Sequence, residues 1–120
     1  LTATVLALWR GEPYAGVADT GWLGPARQQL ADARLELAEL RLQALLEVGR
    51  PEEAIGDLGP LLVEHPFRER LWARRMLALY QAGRQSDALT AFAEVRDLLA
   101  DELGVDPSPS VQEMYGRLLT

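Results

Sequence analysis

Ala44-Leu45-Leu46-Glu47-Val48-Gly49-Arg50 and Ala78-Leu79-Tyr80-Gln81-Ala82-Gly83-Arg84 stand 34 residues apart, and their likeness decides how the chain folds. Carried onward, the same offset sets Ala54 on Ala88, Ile55 on Leu89 and Leu58 on Phe92. Each matched residue type has a physical reason. A glycine after a run of helix formers ends the helix by entering the left-handed region, where a Cβ would be strained. A small alanine early in the next helix lets two helices approach closely. A large apolar residue four positions later packs between neighbouring helix pairs.

A period of this length, with glycine between paired helices, is similar to the tetratricopeptide repeat. Pro66 and Trp72 fall where that repeat usually carries a proline and a tryptophan. The expected fold is therefore all-α, with tetratricopeptide-like helical hairpin repeats in an α-α superhelix. Repeats are expected at about 35–68 and 69–102, with a closing helix at 110–119, all within one domain, 1–120.

Working outward, residues 26–48 form a long helix opened by Pro25, where a missing N–H costs nothing. Leu30, Leu37, Ala38, Leu42 and Leu45 make its apolar stripe. Pro51, Glu52 and Glu53 suit the start of a second helix. Gly56, Gly59 and Pro60 predict that this helix is kinked or cut short. His65-Pro66 closes it, with the imidazole placed to bond the last carbonyls. Further helices are expected at about 68–82 and 85–103, stopped by Gly83 and Gly104. Ser108 is placed as the cap of the last helix, with Pro109 its first residue. Toward the start, residues 1–9 read as the tail of a helix and residues 10–24 as a breaker-rich loop. Because residue 1 is Leu and a helix is already running there, the chain reads as a fragment of a longer protein.

Composition narrows the chemistry. Twelve arginines, no lysine and eighteen acids leave a net charge of −6, so little drives this segment onto nucleic acid. There is no cysteine and a single histidine, His65, which excludes thiolate sites and leaves no partner for a histidine-based metal or nucleophile site. No phosphate-loop, dinucleotide, nucleophile-elbow or metal-helix motif occurs. Asp101-Glu102 and Glu52-Glu53 are sequence neighbours that point to different helix faces, so neither pair is preset for acid–base catalysis. No catalytic residue, metal or cofactor is expected. No stretch approaches a membrane span and no signal peptide opens the chain, so the expected compartment is the cytoplasm.

Four stretches carry a more specific likeness: Ala7-Leu8-Trp9-Arg10-Gly11, His65-Pro66-Phe67-Arg68-Glu69-Arg70-Leu71-Trp72, the Ala78 to Arg84 run, and Glu102-Leu103-Gly104-Val105-Asp106-Pro107-Ser108-Pro109. In order and spacing they resemble the bacterial transcriptional activator domain (BTAD) of the antibiotic regulatory protein (SARP) family. The resemblance covers nearly the whole chain. It implies a part in activating transcription, through RNA polymerase and a second protomer (a homodimer). DNA would be read only by a winged-helix domain that this sequence does not contain. Further ATPase or phosphopeptide-binding modules occur in some relatives. No membrane partner or small-molecule ligand is implied.

Two surfaces could carry protein contact. Arg68, Arg70, Arg74 and Arg75 cluster beside Trp72, and Arg and Trp are favoured interface anchors. The blander reading, ion pairing with Glu64 and Glu69 on a solvated face, carries more weight. Glu36, Glu39, Gln43 and Glu47 fall at helical spacing and could line a groove for a basic partner; a plain solubilising face is the preferred reading. Trp9, Trp22, Tyr80, Phe92 and Tyr115 are expected in the core. The alternative function is a peptide-binding adaptor or co-chaperone-like scaffold. It fits less well, because such scaffolds grip acidic tails with basic grooves and residues 36–47 offer acids.

Overall fold

A computed structural model describes residues 23–120, so the expectations for residues 1–22, including Trp9 and Trp22, lie outside the described residues. Five helices run in order: α1 (Leu23–Glu47), α2 (Pro51–Glu64), α3 (Glu69–Gln81), α4 (Gln85–Leu103) and α5 (Pro109–Leu119). The fold is all-α, with no strand among the described residues. The chain divides into two compact units, 1–41 and 42–120.

In the described part of the first unit, α1 buries Leu35 and Glu39, while Leu37 is 52 % exposed. The expected stripe placed Leu37 with Leu42. Five residues, however, turn a helix by about 140° from alignment, so the two cannot share a face. The buried set Leu35, Leu42, Leu45 and Leu46 keeps proper helical spacing instead.

The second unit is built around α3, which packs against α2, α4 and α5; α4 and α5 also touch each other. Its core joins Trp72, Met76 and Leu79 of α3 to Ala88, Ala91, Val95 and Leu99 of α4 and to Val111 and Leu118 of α5. Two alanines, Ala54 and Ala88, are fully buried one turn into α2 and α4. Phe92 and Tyr115 stack at 3.9 Å between ring centroids, 15° from parallel, and flank this core. Tyr80, expected beside them, is 45 % exposed. It follows buried Ala78 and Leu79, and a helix cannot turn three consecutive residues to one side.

The two hinges match bond for bond. Gly49 and Gly83 both have φ +79°. Gly49 N–H donates to Leu46 and Arg50 N–H to Leu45 at 3.3 and 2.8 Å; Gly83 and Arg84 repeat this to Tyr80 and Leu79 at 3.0 and 2.8 Å. Together these bonds satisfy the last carbonyls of each helix around a left-handed glycine. Each following arginine then pairs three residues on, Arg50 with Glu53 and Arg84 with Asp87.

Two local expectations are corrected and a third is met in position only. Helix α2 is not cut short at Pro60 but continues to Glu64, with Gly56, Gly59 and Pro60 on its exposed side. Pro60 has no N–H to offer the Gly56 carbonyl, but Gly56 is itself exposed, and the buried side keeps Ala54 and Leu58. At His65 the backbone N–H, and not the imidazole, closes the helix, donating to the Leu61 carbonyl at 2.8 Å. The imidazole Nε2 lies 3.8 Å from the Glu64 carboxylate. Ser108 does occupy the cap position of α5, yet its hydroxyl makes no capping bond. Its backbone N–H instead donates to the Glu69 carboxylate at 2.5 Å, tying the start of α5 to the start of α3.

Candidate functional site

Helix geometry sorts the arginine cluster. Residues 70, 73, 74 and 77 fall at i, i+3, i+4 and i+7, which is one side of α3. There Arg70, Ala73, Arg74 and Leu77 line a shallow groove whose opposite wall is Ser110 and Met114 of α5. Ala73 is small, and the two arginines are one helical turn apart along the groove. None of the described residues lining the groove is acidic.

Trp72 points the other way. It is 7 % exposed, belongs to the core and donates its indole N–H to the Pro66 carbonyl at 2.8 Å. It anchors the turn between α2 and α3 and is not a surface anchor. Arg75 lies beyond the groove, half-buried, with an Nε that has no hydrogen-bond partner. Arg68 is the N-cap residue of α3, its carbonyl accepting from Leu71 N–H at 3.0 Å. The structure thus brings Arg70 and Arg74 together and separates Arg68, Trp72 and Arg75 from them.

The acidic stripe divides as well. Glu36, Gln43 and Glu47 are exposed, and Gln43 Nε2 donates to Glu47 Oε1 at 3.1 Å. Glu39 is only 8 % exposed. It sits about 60° round the helix from Glu36, at the edge of the apolar face.

Ser110 and Met114, which sequence reasoning missed, complete the groove. Their i, i+4 spacing was visible, but which helix would face them is a tertiary fact. Among the described residues no group of three or more acids or histidines could hold a metal ion. None of their helices is long and apolar enough to cross a membrane. Two arginines, a hydroxyl and a short apolar floor can bind an acidic, partly apolar surface by charge-assisted hydrogen bonds and burial.

The comparisons with known proteins give the family. The family model described as the bacterial transcriptional activator domain matches residues 1–119. The chain is 47 % identical over 119 residues to the regulatory protein AfsR of Streptomyces coelicolor, covering 99 % of this chain and 12 % of AfsR. It is 38 % identical to the regulatory protein DnrI of Streptomyces peucetius over 114 residues, 95 % of this chain and 42 % of DnrI. Among solved structures, Mycobacterium tuberculosis EmbR in complex with a low-affinity phosphopeptide superposes with a TM-score of 0.82 at 30 % identity, covering 98 % of this chain and 36 % of that one. The chain therefore spans less than half the length of these relatives, which are named as regulatory proteins. It belongs to the bacterial transcriptional activator domain family of SARP-type regulators.

Proposed function

We propose that this chain is the protein-interaction and oligomerisation module of a SARP-type transcriptional activator, supporting activation through contacts with RNA polymerase and a second protomer. It acts as one domain, 1–120, with repeats at about 35–68 and 69–102 and a closing helix. DNA is read elsewhere in the parent protein. The observation that carries the reading is the family match along residues 1–119, and the shallow groove between α3 and α5 supports it as a place for protein contact. Net charge of −6 adds to it, since an acidic domain has little to gain from phosphate contact.

The test is deletion of this segment from a full-length regulator that carries it. Promoter binding should persist in a mobility-shift assay while transcription from the target promoter falls to the unactivated level. Normal activation by the deleted protein would refute the proposal. The adaptor reading fits less well on α1, whose exposed side offers Glu36 and Glu47 where an acidic tail would need cations.

A further inference from the structure

We propose that the groove between α3 and α5 receives an acidic amphipathic helix of a partner protein, with two carboxylates one turn apart meeting Arg70 and Arg74 and an apolar side chain between them seated on Leu77 and Met114. The inference rests on the docking function above and names the chemistry of the docked partner.

Three features of the groove select that occupant. First, its charge opposes that of the chain. In a sequence with eighteen acids and twelve arginines, the described lining holds two arginines and no acid. Complementarity then favours an acidic partner and disfavours a basic one. Second, the spacing is that of a helix. Arg70 and Arg74 are four residues apart on α3, so their Cβ atoms are about 5–6 Å apart, the spacing that i, i+4 carboxylate residues have on a facing helix. Arginine can grip each carboxylate through two parallel hydrogen bonds. Arg74 matters most, since no hydrogen bond or ion pair engages it among the described residues. Third, Ala73, Leu77 and Met114 give an apolar floor between and beyond the cations. Methionine adapts its shape to varied apolar side chains. A nucleic acid would satisfy the arginines but leave that floor bare, and the remaining acids would repel its backbone.

The probes are two synthetic helical peptides with the same leucine face, flanked at i and i+4 by glutamates in one and lysines in the other. Binding to the chain is read by fluorescence anisotropy of the labelled peptides. The glutamate peptide should bind about tenfold more tightly than the lysine peptide, with the difference shrinking as salt rises. In the chain carrying R70E and R74E, shown by circular dichroism to keep its helix content, that preference should reverse. R74Q alone should weaken the glutamate peptide without affecting the lysine one. Equal binding of the two peptides, or an unchanged preference in R70E/R74E, overturns the proposal. So does concentration-dependent self-association of the chain that R70E/R74E abolishes while neither peptide binds, since the occupant would then be a second copy. If segment deletion still abolishes activation while the peptides show no preference, only the partner chemistry has failed. If deletion leaves activation intact, the docking function itself has failed.

Discussion

At Gly49 and at Gly83 the chain makes the same turn, with equal φ, equivalent hydrogen bonds and an arginine–carboxylate pair three residues on. What surrounds the turns differs. Ala44 is exposed where Ala78 is fully buried, and Leu46 is buried where Tyr80 is largely exposed. Local sequence determines the hinge, because a glycine C-cap and its hydrogen bonds involve only residues within one turn. Burial is determined by what packs from outside. Helix α3 has α2, α4 and α5 against it and turns Trp72, Met76 and Leu79 inward, and among the described residues the side with Arg70 and Arg74 stays open as the groove. A repeat can therefore copy its backbone faithfully and still assign a new task to each copy.

The largest expected effect separates the copies. Trp72→Ala should destabilise the chain by about 3–5 kcal/mol in a denaturant titration, because it empties the core and leaves the Pro66 carbonyl without its donor. The equivalent position 34 residues earlier, Ala38, is already small and half-exposed, and Ala38→Gly should cost only about 1 kcal/mol of helix propensity. Similar losses at both positions would mean that Trp72 is not the core anchor it is taken to be.

An intermediate effect tests their identity. Gly49→Ala and Gly83→Ala should each cost about 1–2 kcal/mol, since each forces a Cβ into the left-handed region. Nothing lies within 4 Å of either added Cβ, so packing should not split the two values. A difference larger than the measuring error would break the equivalence of the hinges.

The smallest effect concerns the exposed pairs that follow. Arg50→Ala and Arg84→Ala should each lose about 0.2–1 kcal/mol, less at high salt, as exposed ion pairs do. A much larger loss at one of them would reveal a tertiary role hidden by the local symmetry.

These contrasts also show how far the sequence could be read. The hinges, the two buried alanines and the limits of α4 were legible because they depend on neighbours in the chain. Helix α2 crossing Pro60 was not. The cost of an interior proline depends on whether the freed carbonyl meets water, and that is known only once the exposed side is known. Trp72 and Arg70 looked alike as interface anchors in a single cluster, yet two residues along a helix turn a side chain by about 200°, so one entered the core and the other the groove. Ser110 and Met114 carried no signal of their own, since a groove wall is made by the helix across from it. The Glu69 bond to the Ser108 N–H, spanning 39 residues, was equally out of reach.

The central claim, that the open side of α3 is the working surface, is tested most directly by transcription from a target promoter. Two charge-reversed forms of a full-length regulator that carries this segment are compared at equal promoter occupancy. Arg70→Glu with Arg74→Glu should reduce activation about tenfold or more, as loss of two interface anchors does. Glu36→Arg with Glu47→Arg, on the exposed side of α1, should leave activation within about twofold, as expected of solvated surface charges. Undiminished activation by the first form, or an equal fall in both, would contradict the account.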